Sequence, residues 1–112
     1  MDIETWKTQL RKGAAELAIL AALARADATG TGLVQRLAAN SALGLSDGTV
    51  YPLLARLERD GRIIGRWEPE PNGARPRKLY SLTDAGRTTL GAMRTVWTDF
   101  ANQLTAITGG AE

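Results

Sequence analysis

The sequence predicts a mainly helical α+β fold: three helices, a two-stranded hairpin and a long final helix. Three observations predict it. Apolar residues recur at helical spacing in three stretches before residue 60. A β-branched and aromatic run, a Gly/Pro-rich tip and a second short apolar run follow between residues 62 and 82. A strip of heptad-spaced apolar residues then runs through the last thirty positions. At 112 residues the chain can bury one core but not two. The expected organisation is therefore a unit over 1–82, holding the first helices and the hairpin, and a C-terminal helix with a short tail over 83–112.

From Ala14 the chain is rich in helix formers, and Leu17, Leu20, Ala21 and Ala24 fall on one face, which predicts a buried first helix. Ile3, Trp6 and Leu10 precede it at helical spacing. The small residues Asp27 to Gly32 read as a turn, and Leu33, Val34 and Leu37 as a short second helix. Asn40 to Leu45 reads as a loop. Ser46 is an N-cap residue type, and Val50, Leu53, Leu54 and Leu57 give the amphipathic stripe of a third helix that Gly61 stops. Pro52 is tolerated only near a first turn, which sets the start of this helix at Ser46.

Arg62 to Glu68 and Arg77 to Leu82 read as strands around the tip Pro69 to Pro76. Thr83 then caps a last helix that reaches about Ile107 and ends at Gly109 and Gly110. Within it Leu90, Met93, Trp97, Phe100, Leu104 and Ile107 are separated by 3, 4, 3, 4 and 3 residues, a heptad seam. Such a strip needs a partner, and the simplest one is a second copy of the chain, so a homodimer is expected.

Composition excludes more than it assigns. With no cysteine and no histidine, the chain cannot form disulfides, thiolate or imidazole metal sites, or His-based catalytic triads. The twelve acidic residues form no evident acid/base pair, so no enzyme, metal site or cofactor is expected. No apolar run is long enough to span a bilayer and the N-terminus does not resemble a signal peptide, which predicts a cytoplasmic protein without a membrane partner. The net charge of +2 conceals a charged middle, from Arg56 to Lys78, and a tail with few charges.

Three helices followed by a hairpin make a winged helix-turn-helix, in which the third helix enters the DNA major groove and the wing meets the backbone or minor groove. Winged helices also serve as protein-interaction adaptors, so architecture alone leaves both functions open. The local sequence narrows the choice. L-R-K-G at Leu10 to Gly13, S-D-G-T-V-Y-P at Ser46 to Pro52, L-A-R-L-E-R-D-G at Leu54 to Gly61 and R-K-L-Y-S-L-T-D-A-G at Arg77 to Gly86 together resemble the PadR family of bacterial regulators. The resemblance covers nearly the whole chain and favours the small subfamily with a single short C-terminal helix. It departs from the family at Thr31, where an aromatic is frequent, and at Leu79, where a second Tyr is frequent.

The resemblance implies a dimeric repressor of transcription that binds a near-palindromic operator in double-stranded DNA and is released by a small-molecule effector. Ser46 caps the third helix on any reading. With Gly48, Thr49 and Tyr51 it is also the expected DNA contact at that helix start, where hydroxyls and free amides can meet phosphates or base edges. Arg75, Arg77 and Lys78 on the wing are either a solvated tip or phosphate contacts, and their position favours the latter. Arg11 and Lys12 carry a weaker expectation of the same kind. Trp97 is ordinary packing on the heptad seam or, as the small subfamily implies, a platform for flat and often cationic drugs. Phe100, Trp6 and Asp99 are the residues expected beside it.

Overall fold

The computed structural model describes residues 2–39, 43–70, 73 and 75–109, in the order α1 (Ile3–Arg25), β1 (Ala28–Thr29), α2 (Gly30–Ala38), α3 (Asp47–Arg59), β2 (Ile63–Glu68), β3 (Arg77–Leu82) and α4 (Asp84–Thr108). Parts of the expected loop at Asn40 to Leu45 and of the tip at Pro69 to Pro76, together with Gly110, lie outside the described residues. Both predicted hairpin strands are present. They pair antiparallel, with Ile63 opposite Leu82 and Glu68 opposite Arg77.

Three expectations are corrected. α1 does not begin at Ala14 but runs unbroken from Ile3 through Gly13, with the Asp2 carboxylate accepting from the amide of Glu4. The turn before α2 contains a strand: Ala28 and Thr29 pair with Tyr80 and Leu79, so the sheet has three strands in the order β1-β3-β2. Thr29 ends that strand and caps α2, its hydroxyl accepting from Gly32 N–H at 3.0 Å. Ser46 occupies the N-cap position of α3, but its hydroxyl makes no capping hydrogen bond. The helix is held there by backbone bonds from the amides of Thr49 and Val50 to the Ser46 carbonyl.

The core joins all these elements. Ile19 and Leu20 of α1, Leu33 of α2, Leu54 and Leu57 of α3 and Ile63 of β2 are fully buried, each contributing about 1.5–3 kcal/mol over its exposed state. Arg36 of α2 closes the C-terminal end of α1. Its guanidinium donates to the carbonyls of Ala22, Ala26 and Asp27, satisfying acceptors that a helix end leaves open. At the other end of the sheet, Thr83 caps α4 through Gly86 N–H and donates to the Gly61 carbonyl. Gly61 itself takes a left-handed φ of 76°, which turns the chain from α3 into β2.

α4 divides in two. Leu90 is 2% exposed and belongs to the chain's own core, with Met93 half-buried against it. That corrects the expectation that Leu90 faces a partner: the chain's own core already encloses it. Trp97, Phe100, Leu104 and Ile107 remain exposed, as does Val96 beside them. The radius of gyration is 16.0 Å, against roughly 13 Å for a compact domain of this length. The second half of α4 and the first turns of α1, whose apolar residues are exposed, lie outside that core.

Candidate nucleic-acid interface

α3 is held by one stripe and exposed on the other. Val50, Leu54 and Leu57 are buried, while Ser46, Asp47, Gly48, Tyr51 and Pro52 are exposed and Thr49 is half-buried. The four residues predicted at this helix start are therefore brought together at the surface. Tyr51 is also braced from outside α3. Its ring lies against Gly30, where a Cβ would fall 2.4 Å from ring carbon Cε1, and its hydroxyl is 3.2 Å from that of Thr31. Thr31, a departure from the family pattern in the sequence, is thus a hydrogen-bonding partner of Tyr51. Asp47, exposed in the first turn, places a carboxylate at the positive end of the helix.

The cations fall into different settings. Arg75 is exposed at the wing tip. The Arg77 Nε lies 3.5 Å from Glu70 Oε1, a pair more than half exposed on the arginine side. Lys12 is exposed on α1. Lys78 departs from expectation. Its ammonium donates to Glu58 Oε1 at 2.8 Å and lies 5.8 Å from the ring centre of Trp67 and 5.3 Å from that of Tyr80. The hydrogen bond from Lys78 and one from Gly65 N–H lower the Glu58 pKa against the opposing effect of burial, and the same carboxylate raises that of Lys78. Arg11 departs too: it is half-buried with its guanidinium over Gly44, and among the described residues nothing accepts from its Nε.

Between α1 and α4 lies an open groove of about 550 Å³ bordered by Ala14, Leu17, Met93, Val96, Trp97 and Phe100. A second, of about 590 Å³, is bordered by Trp6, Leu10, Arg11, Leu43 and Trp97. Trp97 thus stands between the two, with Phe100 on one side and Trp6 on the other. Asp99 is not brought to them. It lines a separate shallow surface with Arg94, Thr95 and Thr98, because a residue two positions from Trp97 leaves the shared face of a helix. Among the described residues no group of three or more acidic side chains is placed to hold a metal, and no helix is long and apolar enough to cross a membrane.

Residues 19–92 match the model of the transcriptional regulator PadR-like family. A transcriptional regulator of Mycobacterium tuberculosis is 32% identical over 96 residues, 86% of this chain and 87% of that protein. The crystal structure of a PadR family transcriptional regulator from Eggerthella lenta is similar at a TM-score of 0.83 and 28% identity, over 94% of this chain and 90% of that one. Bacillus subtilis PadR, solved in complex with operator DNA, is similar at a TM-score of 0.63 and 25% identity, over 71% of this chain and 45% of that one.

Proposed function

Because the chain belongs to the PadR-like family of transcriptional regulators and is not an enzyme, we propose that it binds operator DNA as a homodimer and represses transcription. α3 enters the major groove by its exposed first turn, where Thr49 and Tyr51 meet base edges and Gly48 allows close approach. Arg75 and Arg77 of the wing and Lys12 of α1 meet phosphates. The observation that carries this reading is the division of α3: Val50, Leu54 and Leu57 of its apolar stripe are buried while Ser46, Gly48 and Tyr51 at its hydroxyl-bearing start are exposed. The Bacillus subtilis relative in complex with operator DNA supports it.

The second half of α4 is the dimerisation element. Trp97, Phe100, Leu104 and Ile107 are exposed on it, and Ile3, Trp6 and Leu10 are exposed on the neighbouring first turns of α1. Met93 borders the groove that this face shares. An apolar surface this continuous is unusual on a monomer. Closing two copies across Trp97 leaves an aromatic-walled space suited to a planar small molecule, which acts as the releasing effector.

The test is a gel-shift titration with the duplex upstream of the protein's own gene. Tight, salt-sensitive binding that an unrelated duplex competes poorly is the expected result. Absence of binding at low salt contradicts the proposal and leaves the adaptor role open to winged helices.

A further inference from the structure

Glu58 lies in the last turns of α3, twenty residues before Lys78, yet its carboxylate ties the helix to both strands of the wing. Oε1 accepts from Lys78 Nζ at 2.8 Å, and Oε2 accepts from the backbone N–H of Gly65 at 3.1 Å. β3 is held through Lys78 and β2 through Gly65. The lysine stem crosses the sheet directly over Gly65, where a Cβ would meet Lys78 Cε, so a side chain at this position would push the lysine off that path. Beyond the carboxylate the ammonium rests near the faces of Trp67 and Tyr80. Side chains 27% and 31% exposed, with two separate hydrogen bonds on one carboxylate, hold a defined geometry better than a solvated surface pair does.

We propose that Glu58 is a positioning residue for DNA binding: it sets the wing against α3 so that both meet one duplex, and Lys78 serves this joint rather than a phosphate. The inference rests on the DNA-binding reading above. Charge alone predicts the opposite sign for the decisive variant. Removing a carboxylate next to a polyanion strengthens binding if nothing but electrostatics is involved. Removing the joint weakens it.

Four variants, Glu58→Gln, Lys78→Met, their double and Lys78→Arg, are titrated against the promoter duplex over a salt series, with thermal melts as a folding control. Glu58→Gln is expected to weaken binding about tenfold and to flatten the salt dependence, as the wing cations lose register with the phosphates. Lys78→Met is expected to match it, the double to add little to either, and Lys78→Arg, which restores a cation for Glu58, to return binding toward that of the wild type. Tighter binding by Glu58→Gln, or additive losses in the double, overturns the proposal and restores Lys78 as a direct phosphate contact. Amide hydrogen exchange of the free proteins supplies the readout that needs no DNA. Faster exchange at Gly65 and along β2 in Glu58→Gln is expected, and unchanged exchange there also overturns the joint. A wild type that binds no duplex contradicts the DNA-binding reading instead, and the exchange result still decides whether Glu58 holds the wing.

Discussion

Tyr51 stands where α2 and α3 meet. Its ring covers Gly30 and its hydroxyl reaches Thr31, so the phenol is aimed although 43% of the residue is exposed. Tyr51→Phe keeps the ring and loses only the hydroxyl. Operator affinity is expected to fall several-fold while stability changes by less than about 1 kcal/mol, since an exposed hydrogen bond contributes little to folding. A titration paired with a urea melt checks both. Glu58 and Lys78 make a second prediction at this scale, and its sign follows from the direction of their shifts. A carboxylate held below its ordinary 4.5 adds stability that is complete above 4.5 and is lost as pH falls through the lowered value. A lysine held above its ordinary 10.5 adds stability that is complete below 10.5 and is lost as pH rises through the raised value. The stability difference between the wild type and Glu58→Gln should therefore be flat from about pH 6 to 9 and shrink below about pH 4, as read by melts across that range.

Elements whose pattern is local were legible in the sequence. The stripe of α3 could be read from its period of 3.6, and both hairpin strands from short β-branched, aromatic or apolar runs on either side of a Gly/Pro-rich tip, because each is written in consecutive residues. β1 could not, since two residues carry no period and Ala28 and Thr29 become a strand only because β3 offers them an edge. Lys78 looked like one more cation in a basic wing, for nothing local to it reveals a carboxylate twenty positions earlier. Leu90 fitted the heptad with Trp97, but spacing cannot tell the part of a seam that lies over the chain's own core from the part that lies beyond it. The start of α4 shows how tightly that crossing is set. A Cβ on Gly86 would stand 2.0 Å from the Arg62 carbonyl oxygen, which is backbone and cannot swing aside. Gly86→Ala is expected to cost about 1–3 kcal/mol by forcing the helix off the strand, measurable by denaturant unfolding.

At the scale of the molecule, the longest dimension is 55 Å, and the second half of α4 leaves Trp97, Phe100, Leu104 and Ile107 exposed. The proposed dimer explains why α4 continues past Met93. Trp97→Asp places a charge on that face outside the folding core, so it is expected to leave a folded monomer of 12.0 kDa where the wild type gives twice that mass by light scattering. Two copies also double the number of phosphate contacts, and this links assembly to binding. Arg75, Arg77 and Lys12 from each chain supply six cations to one duplex. With each neutralised phosphate contributing about −0.9, log affinity should fall against log salt with a slope of about −5. The most direct test of the account is that slope, measured by fluorescence anisotropy on the promoter duplex. A slope near −5 that drops when Arg75 and Arg77 are neutralised is the predicted result, and binding that ignores salt and survives that change would contradict it.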